Sequence, residues 1–290
     1  MEAHCPATFL VFGDLHGRVL PAFRFGSYWS RRAGRPLAGL LQVGDLGYFP
    51  NPATMDKATV RHAKDDPLEL GTFDVVVPNP LAGAVFDEDP HAPPGLWFTA
   101  GNHEDFAELE HLSRGSGRDE SDFAVDAYGR VRGIKDGRVL TFGCGLRVGA
   151  VWGVDGDGPH CRKNLPKRGY IDPSSVDRLA WEAFDMLLTH DAPRDAKRAG
   201  YGSEALRSLV EVAKPQFAFF GHYGGDGSRV GGDFGDTRVY HLAGFELRTR
   251  TGHPESGSVG VLEQTDTGWE FAFVPDDDLV PFTRHNWKWV

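Results

Sequence analysis

The chain is short of several things, and each shortage narrows what it can be. Three cysteines, Cys5, Cys144 and Cys161, are spread over 290 residues with no CxxC pair. An odd count at such spacing argues against a disulfide framework and a thiolate zinc site. Long apolar runs are missing too: no stretch approaches the roughly 18–20 residues that a membrane helix needs. The start, MEAHCPATFLVFGD, has no basic segment leading into an apolar one, so no signal peptide is expected. Positive charge is scarce, with 31 Lys and Arg against 41 Asp and Glu and a formal charge of −10. That balance argues against a protein that coats nucleic acid or an anionic membrane, and it suits one that gathers carboxylates around cations. The expectation is a soluble, cytoplasmic protein with no membrane attachment and no inferable protein partner.

What is present is core material: 40% apolar residues, with seven Trp and twenty Phe. The length suits one large α/β domain or two small ones. Short apolar runs recur and end alike. ATFLVFGDLHG predicts a strand over about Thr8–Phe12, and AGLLQVGDLGYF predicts one near Leu40–Val43. GLWFTAGNHE, FDMLLTHDAP and FAFFGHYGG repeat the pattern, so five strand-to-loop junctions carry Asp, Asn or His at the same relative place. Between them, RVLPAFRFGSYWSRRAG has helical spacing and ends at Gly34. DPSSVDRLAWEAF offers Asp172 or Ser174 as a cap. GSEALRSLVEVAK reads as a helix capped by Ser203, with Leu206, Leu209, Val210 and Val212 inward and Pro215 closing it. GRVLTFGCGLRVGAVWGV and the stretch at 257–275 read as hairpins. Helices alternating with strands, plus hairpins, predict a mixed two-sheet α/β sandwich. Residues 50–95, rich in Pro and acids, form a connection long enough to be either a surface insertion or a lid over a pocket.

In open α/β sheets, ligands gather outside the carboxyl ends of strands, so the five junctions are expected to meet in one crevice. Pooled, they bring Asp14, His16, Asp45, Asn102, His103, Glu104, His190, Asp191 and His222. A mixed nitrogen and oxygen donor set of this kind suits Mn²⁺, Fe or Zn²⁺ better than Ca²⁺ or Mg²⁺. Singly, each junction reads as an ordinary turn; the ordered series carries the weight.

The series GDLHG, GDLG, GNHE, TH and GH, in that order over roughly residues 8–245, resembles the calcineurin-like metallophosphoesterase superfamily. The resemblance implies a single domain over 1–290 in a four-layer α/β/β/α sandwich, two mixed β-sheets flanked by helices. It implies a phosphoester hydrolase with two divalent metal ions, Mn²⁺ first and Fe or Zn²⁺ as alternatives. Asp14 and His16 would bind one ion and Asp45 would bridge to the other, which Asn102, His190 and His222 would complete. His103 would be the catalytic imidazole beside the leaving oxygen, with Glu104 orienting that region. A hydroxide held between the metals would attack phosphorus in line. Asp191 could support His190, but reads better as a turn acid.

Two departures bear on substrate. Phosphodiesterases of this superfamily carry GHxH at the last motif; here the motif is GHYG, with Gly224 where a further ligand of the first metal would stand. His241, in TRVYHLAGF, is a possible substitute ligand or substrate contact. The GDxVDRG signature of protein phosphatases is missing, which argues against phosphoprotein substrates. Arg18, Arg162 and Lys163 are candidate phosphate contacts, the last two in the basic loop HCRKNLPKRGYI with Lys167 and Arg168. Tyr48, Phe49 and Tyr223 flank metal motifs and could stack on a base or simply pack. LLTHDAP is also similar to the RNA lariat debranching branch. The first expectation is a phosphodiesterase acting on a nucleotide or small nucleic acid, RNA being one possibility. A phosphomonoesterase is second, and a non-catalytic scaffold third, because such scaffolds lose ligands that are all present here.

Overall fold

The computed structural model describes residues 6–157, 164–225, 227–229, 234–247 and 252–290. In chain order, its first half contains β1 (Thr8–Phe12), α1 (Val19–Ala33), β2 (Gly39–Gln42), α2 (Lys57–His62), α3 (Phe73–Val76), α4 (Pro80–Phe86), β3 (Leu96–Phe98), α5 (Phe106–Gly115), β4 (Asp122–Ala124), β5 (Val131–Ile134) and β6 (Arg138–Thr141). The second half adds β7 (Arg147–Val151), α6 (Pro173–Leu179), β8 (Met186–Thr189), α7 (Glu204–Ala213), β9 (Phe217–Phe220), β10 (Ser228–Arg229), β11 (Arg238–His241), β12 (Val259–Thr265), β13 (Gly268–Phe273) and α8 (Asp276–Leu279).

Two mixed sheets result, ordered β13-β12-β1-β2-β3-β5-β4 and β10-β11-β9-β8-β7-β6. The alternation of side chains along a strand explains why they form layers. On β1, Phe9 and Val11 point between the sheets, where they meet Val148, Met186, Leu188, Phe217 and Phe219. Leu10 and Phe12 point the other way, into a cluster with Phe23, Phe25 and Phe86 from the helices. The second sheet does the same: Leu187, Ala218 and Phe220 turn outward to meet Leu206, Leu209 and Val210 of α7. The architecture is therefore the expected four-layer α/β/β/α sandwich, with helices outside both sheets.

Local signals behave as their chemistry requires. Gly34 closes α1 in the left-handed conformation, φ 67°, with its N–H bonded to Ser30 O. Asp172, not Ser174, caps α6 by accepting from the Ser174 N–H. Ser203 caps α7 by accepting from Leu206 N–H. Each fully buried Leu or Val on α7 contributes about 1.5–3 kcal/mol. Val212 corrects the expected inner face: it is 62% exposed. At about 100° per residue, position 212 lies about 110° from the middle of the stripe formed by 206, 209, 210 and 213, on the flank of the helix rather than its inner face. The glycine-rich stretches pair as hairpins, β6 with β7 and β12 with β13.

Residues 50–95 fold into short helices. Val75, Ala82, Val85 and Phe86 are buried in the helical layer, and Phe86 meets Phe23 edge-on at 4.7 Å. The earlier part, α2 and a 3₁₀ turn at Pro67–Leu70, lies near the strand ends. Among the described residues, no helix is long and apolar enough to cross a membrane.

Candidate metal centre and cleft

β1, β2 and β3 are parallel neighbours in one sheet, and β8 and β9 in the other. Their carboxyl ends meet. The junction glycines make the meeting possible: a Cβ on Gly101 would overlap Oδ1 of Asp45, and one on Gly221 would overlap Oδ1 of Asp14. Three of the polar residues adopt left-handed backbone conformations that non-glycine residues avoid: His16 at φ 42°, Asp45 at φ 51° and His222 at φ 67°. Each costs on the order of 1–3 kcal/mol, a cost that the surrounding packing sustains and that clusters at functional sites.

The donor atoms converge. One ligand atom from each of Asp14, His16 and Asp45 lies within 4.8 Å of the others. His190 is wholly buried, and its Nδ1–H donates to Val43 O at 3.2 Å. That fixes Nε2 as the atom turned inward, 3.1 Å from Oδ2 of Asp45 and 3.2 Å from Nδ1 of His222. Asp45 Oδ1 accepts from the amides of Asn102, at 2.7 Å, and His103, at 2.8 Å. Asp14 Oδ1 accepts from the His222 amide at 3.2 Å. Both side-chain polar atoms of Asn102, Oδ1 and Nδ2, are buried with no hydrogen-bond partner. An unmet amide on the loop whose backbone holds the Asp45 carboxylate is what a divalent cation would complete, so the residues present fit such an ion.

Titration tells the same story. Burial pushes the Asp14 carboxyl up to about 7, and burial pushes the His16 imidazole down to about 4. Burial also acts to lower His190, but the carboxylates of Asp45 and Asp14 outweigh it and raise His190 to about 9. Without a cation, a proton on His190 offsets the carboxylates.

Glu104 is buried and braces the second loop, accepting from the amides of Leu46 at 2.8 Å and Tyr48 at 2.6 Å. Burial, then the charge of Asp45, pushes its carboxyl up to about 8. Asp191 accepts from the amides of Asp155 and Ala192, each at 2.8 Å, and from the Tyr223 hydroxyl at 2.5 Å. It is a turn acid that also holds the residue after His222.

Other candidates fall elsewhere. His241 is wholly buried: its Nε2 donates to Tyr223 O at 2.6 Å, and its Nδ1 meets Lys197 Nζ at 2.9 Å. Its ring supports the turn behind His222 rather than joining the donor cluster. Arg18 lines the cleft, yet its guanidinium is committed to Asp66 at 2.6 Å and Glu69 at 3.1 Å. Arg162 and Lys163 lie outside the described residues. Arg168 pairs with Glu110 at 2.6 Å and Asp172 at 2.9 Å. Base stacking by Tyr48 or Phe49 is ruled out by burial: they are 3% and 2% exposed, and the Tyr48 hydroxyl donates to Val125 O at 3.0 Å.

The centre opens into a cleft of about 450 Å³ whose wall opposite the strand-end motifs comes from residues 58–69. Sequence reasoning missed three groups here. Asp56 meets His103, its Oδ2 lying 2.5 Å from Nδ1. Arg61 lines the cleft from α2. Glu246 lines it from the chain after β11, drawn in by the Phe245 amide on Asp14 O at 2.8 Å. None stands in a motif, and no sequence signal marks them.

No family model matches the chain, and no curated protein matches it by sequence. Solved structures do resemble it. One crystal structure aligns at a TM-score of 0.53 and 13% identity, over 93% of this chain and all (100%) of that one. TT1561 of Thermus thermophilus aligns at a TM-score of 0.50 and 11% identity, with the same coverage of 93% and 100%. At such identities the likeness is one of fold. A predicted phosphoesterase from Streptococcus pneumoniae aligns at a TM-score of 0.36 and 11% identity, over 95% of this chain and 92% of that one, too loosely to bear on function.

Proposed function

We propose that the chain is a cytoplasmic phosphoester hydrolase that works with two divalent metal ions, Mn²⁺ first among them. A phosphodiester of nucleotide size or a small nucleic acid is the first substrate class, and a phosphomonoester the second. The observation that carries the reading is the convergence of Asp14, His16 and Asp45, with His190 meeting both Asp45 and His222, Asn102 on the loop that holds Asp45, and His103 at the cleft beside them. Fe and Zn²⁺ suit the same donors. When bound, the metals would act as Lewis acids toward the phosphoryl group and make a water acidic near neutrality.

The protein's own residues do the rest. Asp14, His16 and Asp45 would hold the first ion, and Asp45, Asn102, His190 and His222 the second. Val43 O keeps His190 in the tautomer that presents Nε2. Asp56 takes the Nδ1 side of His103, so a proton delivered to the leaving oxygen departs from Nε2. Glu104 keeps the Asp45 loop in place through the amides of Leu46 and Tyr48.

The test is to strip metal, add back Mn²⁺ and compare a chromogenic phosphodiester with its monoester, beside His103→Ala and Asn102→Ala. Diester cleavage that needs metal and falls at least about a hundredfold in both variants supports the reading. A chain that binds no metal and turns over neither ester returns it to the scaffold class.

A further inference from the structure

We propose that α2 is the substrate-side arm of this cleft, with Arg61 as the contact for a second anionic group on a small phosphoester and Asp56 anchoring the arm to His103. The inference rests on the hydrolase reading and goes beyond it to the kind of substrate. At about 450 Å³ the cleft has the size that encloses a small molecule, larger than a lone phosphate needs.

α2 presents one face to it. Ala58, Thr59, Arg61 and His62 all line the cleft, and the offsets of one, three and four residues place them on one side of a helix. Two arginines line the same space, and their charges are differently spent. Arg18 is buried against Asp66 and Glu69, while Asp66 also takes Arg284 at 2.8 Å. Those four charges cancel. Arg61 instead meets the His62 ring, Nη2 to Nε2 at 3.1 Å, and makes no ion pair among the described residues. Among the described residues, Arg61 and exposed Asp65 are thus the charges on this wall that stand in no ion pair.

One carboxylate ties the arm to the catalytic imidazole. Oδ1 of Asp56 caps α2, accepting from the Thr59 N–H at 2.7 Å, while Oδ2 pairs with Nδ1 of His103 at 2.5 Å. Arg61 lies five residues beyond the cap, about 7–8 Å along the helix axis. With more than a turn of helix between it and the residue that holds His103, Arg61 would meet a group other than the phosphoryl beside that imidazole. A substrate with two anionic groups on one small scaffold satisfies both ends.

The experiment is calorimetry on the Mn²⁺-loaded full chain with adenosine 5′-monophosphate and adenosine 3′,5′-bisphosphate, which differ by one phosphate. The expected result is a preference of about tenfold for the bisphosphate, the yield of one charge-assisted contact. Arg61→Gln should reduce the preference to less than about twofold while leaving monophosphate affinity within about twofold, and Arg61→Lys should restore part of it. Asp65→Asn, which removes the opposing charge, should strengthen bisphosphate binding. Asp56→Ala should lose the preference through a freed arm, and Asp56→Asn, still a helix cap, should recover it. Equal affinities in the wild type, or an Arg61→Gln variant that keeps the preference, overturn the proposal. An Asp56→Ala variant that keeps it overturns the anchor. Both nucleotides carry only phosphomonoesters, so turnover, which shows as a steady heat, would favour the monoester class, and a binding preference without turnover counts against that class alone.

Discussion

Replacing Asn102 by leucine should move the stability of the metal-free and metal-loaded protein in opposite directions. The amide is buried and both of its polar side-chain atoms lack a hydrogen-bond partner. Such a group costs about 1–3 kcal/mol, and leucine has nearly its shape without the polarity. The metal-free variant should therefore gain about 1–3 kcal/mol. In a chain of this size that raises the melting temperature by about 2–6 °C. With Mn²⁺ at a hundred times its dissociation constant, the wild type should gain about 2.7 kcal/mol, or roughly 5 °C. The variant, short of one ligand, should gain less than half as much. Differential scanning calorimetry after chelation, and again through a Mn²⁺ titration, reads both effects. A metal-free variant that melts below the wild type, with its Mn²⁺ shift intact, refutes the argument that the orphaned amide is a ligand.

Metal affinity should rise with pH, because binding must displace protons. At pH 6 both Asp14, pushed up to about 7, and His190, raised to about 9, hold one, whereas at pH 8 His190 alone does. Calorimetry in buffers of different ionisation heat should find about two protons released per chain at pH 6 and about one at pH 8, and equal release at both pH values would sink the scheme. Glu104→Ala leaves the Leu46 and Tyr48 amides without their acceptor, so urea unfolding should show a loss of about 2–4 kcal/mol, with weaker Mn²⁺ binding. Gly224→His should fold normally, since a Cβ there meets nothing within 4 Å. It should bind the first metal at least about tenfold more tightly in equilibrium dialysis, and unchanged affinity would mean that position 224 does not face the centre.

The sequence by itself determined the layers and the junctions. Strand alternation on β1, the caps Ser203 and Gly34, and the paired glycine-rich hairpins are properties of neighbouring residues, and local chemistry fixes them. The glycine before Asp14, Asp45, Asn102 and His222 is also a local mark, and His190 follows a strand in the same way after Thr189, so the five were legible in order and their loops meet at one crevice. The use to which each long side chain is put was not legible. Arg18 follows the GDLHG motif, yet Asp66 and Glu69, about fifty residues away, claim its charge. His241 has a ligand's chemistry, but Tyr223 O and Lys197 occupy its ring. Tyr48 and Phe49 adjoin the Asp45 loop and are sealed in the core. Asp56 and Arg61 stand in no motif, and they reach the cleft because the segment at 50–95 folds back over it. Periodicity and turn chemistry act over a few residues, whereas the partner of a flexible charged side chain is set by which distant segment packs beside it, and only the tertiary structure decided that.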